Sequence, residues 1–83
     1  METVLALVEY VARELAAQRD HVTLDVQDQG DGRVIYLRVH PGDVGRIIGR
    51  NGRTINALRA LAATVAGRAG IRVTVEVTPA AGQ

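Results

Sequence analysis

One run of twelve residues, Val44-Gly45-Arg46-Ile47-Ile48-Gly49-Arg50-Asn51-Gly52-Arg53-Thr54-Ile55, restricts the fold more than any other part of the chain. Gly49 and Gly52 bracket two polar residues, and aliphatic residues stand on both sides of the bracket. Arg46, Arg50, Asn51 and Arg53 lie inside or beside it, and no acid does. The pattern predicts two helices joined by a Gly-x-x-Gly turn, with the turn pressed against a nucleic-acid backbone. Glycine at both ends permits backbone angles that other residues avoid and removes the Cβ that would block a phosphate. A second helix starting at Asn51 or Gly52 points its free N–H groups and positive dipole end at an anion. Arg46, Arg50 and Arg53 add guanidinium groups able to pair with phosphate in a fork. Val44, Ile47, Ile48 and Ile55 are expected to shape an aliphatic cleft where unstacked bases lie, some of them serving also as core.

The spacing alone is weak evidence in a chain with nine glycines, and it recurs at Gly42–Gly45 and Gly67–Gly70. The first copy opens a helix after a strand, and the second is expected to end the long helix as a glycine cap. Only the Gly49–Gly52 copy is flanked by aliphatics and lined with arginine.

Apolar periods set the rest of the fold. Residues 3–17 read as an amphipathic helix with Val4, Val8, Val11 and Leu15 on one face, Leu5 and Ala12 beside them, and a Glu9–Arg13 pair on the far side. Val22 to Gln27 alternates as a strand with Val22, Leu24 and Val26 inward. Residues 28–32 make a turn, and Arg33 to Val39 returns as an antiparallel strand with Ile35, Leu37 and Val39 inward and Val34, Tyr36 and Arg38 outward. A short helix over 43–49 begins at Asp43, whose charge suits the dipole. A longer helix over 52–67 presents Ile55, Leu58, Leu61, Ala62 and Val65 as its buried stripe. Ile71, Val73, Val75 and Val77 alternate with polar residues in a third strand. Each strand has one apolar face, so the three helices must cover a single side of the sheet. The fold class is α+β in two layers, order α-β-β-α-α-β, as one domain over 1–79 with a frayed tail at 80–83.

At this point the chain resembles the KH domains, RNA-binding modules with a GXXG loop. More narrowly it is similar to the small single-KH-domain RNA-binding proteins of bacteria, the KhpA type. The resemblance rests on Asp43-Val44-Gly45-Arg46, on Ile48 through Thr54, on Ala57-Leu58-Arg59 and on the closing run Val73 to Val77, and the order of elements follows it over about residues 2–78. It implies the type II arrangement with a mixed three-stranded sheet, and leaves the position of the third strand to be found. It also implies single-stranded RNA as partner, a homodimer, and pairing with a larger RNA-binding protein that carries a KH domain of its own. Arg72, on the third strand, is a further candidate for base or sugar contact.

Composition excludes most other classes. Eighty-three residues leave no room for a second core, and 47% hydrophobic content is enough to fold without metal or disulfide. Serine and cysteine are both absent, which removes the usual activated nucleophiles, and the chain is read as no enzyme. No cofactor fingerprint occurs: a P-loop needs a lysine, and there is none. His21 and His40 are the only histidines and are expected to be exposed polar residues rather than a dyad or a metal pair, so no metal site is expected. With two aromatics, Tyr10 and Tyr36, the chain lacks the stacking platform of sheet-face RNA binders. No 18-residue apolar run exists and Met1-Glu2-Thr3 is not a basic leader, so no membrane contact and a cytoplasmic location are expected.

Net charge is only +1, but residues 1–43 carry four arginines and eight acids while residues 44–83 carry six arginines and one acid. That asymmetry favours a polyanion on one side of the molecule. The function expected is single-stranded RNA binding in an RNA chaperone or post-transcriptional regulator. Single-stranded DNA binding and a KH-fold module that binds protein partners are the rivals. A stripe of small residues on the long helix, Asn56, Ala60, Ala63 and Gly67, offers the dimer a surface.

Overall fold

The computed structural model describes residues 1–80. Helix α1 spans Glu2–Leu15, followed by strands β1 (Thr23–Gln29) and β2 (Gly32–Val39), helices α2 (Val44–Ile48) and α3 (Arg53–Arg68), and strand β3 (Val73–Pro79). Short 3₁₀ turns stand at Arg19–His21, Pro41–Asp43 and Arg50–Gly52. The order α-β-β-α-α-β is the one the apolar periods predict.

The sheet runs β1-β2-β3, so β2 is central. β1 pairs with it antiparallel and β3 pairs with it parallel, which settles the place of the third strand. The hairpin is tighter than its Gly- and Asp-rich composition suggests. Gln29 pairs with Gly32, leaving Gly30 and Asp31 as a two-residue turn, and Gly30 takes φ +63°. Both strands therefore extend into the stretch expected to be turn. Ile35, Leu37 and Val39 point inward from β2 and are fully buried. Val34, expected outward, is on the outer face yet is also buried, because the central strand places it between Gln27 and Thr74.

All three helices share one core with the inner face of the sheet. α1 buries Val4, Val8 and Ala12, one per turn, with Leu5, Val11 and Leu15 as half-buried flanks. The Glu9–Arg13 pair forms at 2.9 Å as expected. α3 buries Ile55, Leu58, Ala62 and Ala66. Leu61, expected in that stripe, is instead 51% exposed, and Val65 is only half-buried. The helix ends in a Schellman cap: the Ile71 N–H donates to the Ala66 carbonyl, the Gly70 N–H donates to the Gly67 carbonyl, and Gly70 has φ +75°. That cap holds Ile71, so β3 starts two residues later than the alternation predicts and runs on to Pro79 beside Val39. Of the tail expected at 80–83, residues 81–83 lie outside the described residues. The Ala80 N–H donates to the Val39 carbonyl at 2.7 Å and continues the ladder past Pro79. No helix among the described residues is long and apolar enough to cross a membrane.

Candidate nucleic-acid interface

β2 hands the chain to the site through His40-Pro41-Gly42-Asp43. His40 Nδ1 accepts the Gly42 N–H at 3.0 Å, and Pro41 pre-sets the first residue of the 3₁₀ turn. Asp43 stands at the start of α2, as expected. It makes no side-chain cap to α2, and the residue is only 2% exposed. Its two carboxylate oxygens accept the backbone N–H groups of Ala17 at 3.2 Å and Gln18 at 2.8 Å, just beyond the end of α1. Arg46 Nε lies 3.2 Å from the same carboxylate. The Gln18 N–H, the Ala17 N–H, Arg46 and His40 together hold the Asp43 carboxyl below the ordinary carboxylate range, against an opposing push from burial. Asp43 thus fastens the beginning of α2 to the end of α1.

The turn itself is a run of left-handed backbone. α2 closes with the Gly49 N–H on the Gly45 carbonyl, and Gly49 takes φ +78°, ψ 170°. Asn51 follows at φ +55° and Gly52 at φ +73°, and the Gly52 N–H returns to the Gly49 carbonyl at 3.1 Å. Asn51 is the single non-glycine with positive φ among the described residues, and asparagine is one of the few side chains that tolerate it. The two glycines are required for different reasons. A Cβ on Gly49 would overlap Thr54 Oγ1 and stand 2.7 Å from Thr54 Cβ, whereas a Cβ on Gly52 would meet nothing nearer than Asn56 Nδ2 at 3.7 Å. Gly52, at the cap of α3, gives that helix no side-chain cap, and the first turn contains no acid. The positive end of the helix dipole is therefore left for an outside anion.

The predicted site residues divide into three groups. Arg50, Asn51 and Arg53 are exposed, and among the described residues their side chains enter no hydrogen bond or ion pair. Arg46 is exposed but spends its Nε on Asp43. Ile47 and Ile55 are core residues and do not line a cleft, while Val44 and Ile48 are half-buried and flank the loop on α2. Gly45 is exposed with open space around it, and Thr54 is half-buried beneath Gly49. Arg72 is not brought to the loop. It follows the C-terminus of α3, a helix about 24 Å long with the Gly49–Gly52 turn at its other end. There it lies 3.6 Å from Asp31 of the hairpin.

Sequence reading missed Arg59. Its Nε donates to the Val75 carbonyl at 2.9 Å, and its Nη2 lies 3.9 Å from Glu76, so it ties α3 to the edge strand β3. The two histidines, expected to be exposed polar residues, are half-buried and meet edge to face with centroids 5.1 Å apart. Among the described residues, no three His, Cys, Asp or Glu side chains gather as a metal site.

A helix, a Gly-x-x-Gly turn with three left-handed residues and a second helix, laid on a β-strand pair that runs parallel, define a KH domain. With the extra helix and strand at the N-terminal side it is the type II form. The family model for the KhpA/KhpB KH domain matches residues 6–77, and the chain belongs to that family. It is 46% identical over 76 residues to the RNA-binding protein KhpA of Mycobacterium leprae, covering 90% of this chain and 94% of that one. It is 44% identical over 72 residues to the RNA-binding protein KhpA of Mycobacterium tuberculosis, covering 87% and 89%. To the RNA-binding protein KhpA of Streptomyces coelicolor it is 41% identical over 66 residues, covering 80% and 82%.

Proposed function

We propose that this chain binds single-stranded RNA across the Gly49–Gly52 turn and the Val44–Ile48 flank of α2. The observation that carries the reading is the left-handed run at Gly49, Asn51 and Gly52, beside Arg50, Asn51 and Arg53 side chains that have no partner inside the described protein. Gly49 and Gly52 let a phosphate approach the backbone. Arg50 and Arg53 neutralise it, and Asn51 offers both a donor and an acceptor. Arg46 adds the part of its guanidinium that Asp43 leaves free. The relatives' names, each an RNA-binding protein, support the same choice of polymer.

The biological role that fits is RNA chaperone or post-transcriptional regulator, acting in the cytoplasm and not as an enzyme. Its unit is residues 1–79. A contact with about four nucleotides is weak, and a second site in a homodimer or on a larger KH-containing partner raises avidity. The stripe Asn56, Ala60, Ala63 and Gly67 on α3 is exposed and open to such pairing.

Fluorescence anisotropy with short labelled single-stranded RNA and DNA tests the reading. The Arg50→Asp, Asn51→Asp double variant is expected to leave the fold intact in circular dichroism, because both side chains face solvent and aspartate tolerates the left-handed position. It is expected to lose binding. Equal binding by both proteins, or by neither, would make the turn structural. Tighter binding of DNA than RNA would transfer the site to that polymer.

A further inference from the structure

The half of the chain that holds the turn, residues 44–83, contains no aromatic side chain. Tyr10 points to solvent from α1, and Tyr36 lies on the outer face of the sheet, where its hydroxyl meets Gln29 Nε2 at 3.1 Å. A base unstacked beside the turn therefore finds no ring to lie on. Single-stranded RNA is held by stacking on aromatic rings or on the flat faces of arginine guanidinium groups. Six arginines stand in this half, and one of them differs from the rest.

Arg59 is held at all three guanidinium nitrogens. Its Nε donates to the Val75 carbonyl at 2.9 Å, its Nη1 donates to Asn56 Oδ1 at 3.5 Å, and its Nη2 lies 3.9 Å from Glu76 Oε1. The Val75 backbone turns away from β2, so the guanidinium plugs the free edge of β3. The guanidinium is planar and its N–H groups radiate in that plane. Partners spaced around the rim fix the orientation of the plane and leave its faces to other contacts. The side chain keeps 41% of its surface open. Among the described residues, Arg46 is anchored at Nε alone, Arg72 at Nη1 alone, and Arg50, Arg53 and Arg68 at no nitrogen.

Asn56 links this plane to the turn. Its Nδ2 is the atom nearest to the open space at Gly52, 3.7 Å from a Cβ built there, and its Oδ1 is the atom that Arg59 meets. Arg59 stands about 10 Å from Gly52 along α3, a distance covered by the roughly four nucleotides that such a turn holds. The neighbouring charge selects which part of the strand lies here. A phosphate beside Arg59 would also face the Glu76 carboxylate, whereas an uncharged base would not.

We propose that the Arg59 guanidinium is a stacking plane for one base of the bound strand, in place of the aromatic side chain that this half of the chain lacks. This role rests on the RNA reading of the Gly49–Gly52 turn and adds a residue that touches a base and no phosphate. Arg50 and Arg53, free to swing, meet phosphates; Arg59, fixed on the edge of β3, meets a ring.

The probe is a fluorescein-labelled pentamer of adenosine nucleotides, with each base removed in turn to leave an abasic ribose. Anisotropy gives the affinity of each RNA for the native protein, for Arg59→Lys and for Arg59→Gln. Lysine keeps the charge and glutamine drops it, both retain a donor for the Val75 carbonyl, and neither has the guanidinium plane. Both variants are expected to stay folded in circular dichroism. Removal of one particular base is expected to weaken binding to the native protein about tenfold, and to change binding to either variant by less than about twofold. The salt dependence of the intact pentamer is expected to keep its slope in Arg59→Gln. Abasic losses that are equal in the native and variant proteins at every position overturn the proposal, because a side chain that only braces β3 cannot tell a base from its absence. So does a slope that flattens by about 0.7 in Arg59→Gln, which would make Arg59 a phosphate contact. A native protein that binds the pentamer with neither effect loses the stacking plane alone. A native protein that binds no RNA loses the reading of the turn and the stacking plane with it.

Discussion

Gly49 and Gly52 occupy the same motif but answer to different constraints. Gly49 meets Thr54 as well as a backbone angle that favours glycine, and Gly52 meets the angle alone. Gly49→Ala is therefore expected to cost about 2–3 kcal/mol, and Gly52→Ala about 1–2 kcal/mol, in urea unfolding monitored by circular dichroism. Equal costs would remove Thr54 from the explanation. Asp43 predicts a pH dependence. Its native carboxyl titrates below the ordinary aspartate value, so its stabilising contribution is fully present above about pH 4 and is lost as pH falls through the lower native value. Asp43→Asn is expected to lower stability at neutral pH and to flatten the acid limb of the stability curve; an unchanged acid limb would show that its hydrogen bonds carry no linkage. The glycine bracket was legible in sequence because backbone freedom and charge coincide there. The partners of Asp43 were not, since Ala17 and Gln18 offer only backbone groups and lie 26 and 25 residues away. Nor could spacing tell that Arg72 sits at the wrong end of α3.

At the scale of the element, α3 shows where hydropathy misleads. Leu61 is more apolar than Ala66, yet Ala66 is fully buried and Leu61 is half in solvent. Ala62 and Ala66 lie on the face that α3 turns into the core, whereas Leu61 lies off that face. Leu58→Ala is expected to cost about 2–5 kcal/mol, whereas Leu61→Ala stays within about 0.5 kcal/mol. Urea midpoints of the two variants check this, and a large loss at Leu61 would restore it to the core. α1 repeats the pattern, with Ala12 rather than Val11 on the central line of its buried face. Strand existence was legible from alternation alone. Strand ends were not, because the Schellman cap after α3 and the length of β2 decide where β3 begins and stops.

Across the whole molecule, charge and architecture agree. The half of the chain that contains the turn carries six arginines and one acid, and its turn arginines Arg50 and Arg53 are unpaired among the described residues. If each neutralises one phosphate, the log–log dependence of RNA affinity on salt is expected to flatten by about 0.7 for Arg50→Gln and again for Arg53→Gln. An unchanged slope would exclude those two side chains from phosphate contact. The one-sided sheet and the order of elements were readable because every strand has a single apolar face. The neighbour of β2 was not, since alternation carries no information about which edge a strand joins. That neighbour has a consequence for how the protein is made. Arg33 pairs with Val73, forty residues further along, so β2 receives its second partner only after both intervening helices have been synthesised. A growing chain that has emerged as far as α3 holds the hairpin and three helices but still has a bare side on its central strand. Closure of the sheet, burial of Val75 and the Arg59 plug on β3 all wait for that last strand, and the nascent chain must be kept from rival strands until it arrives.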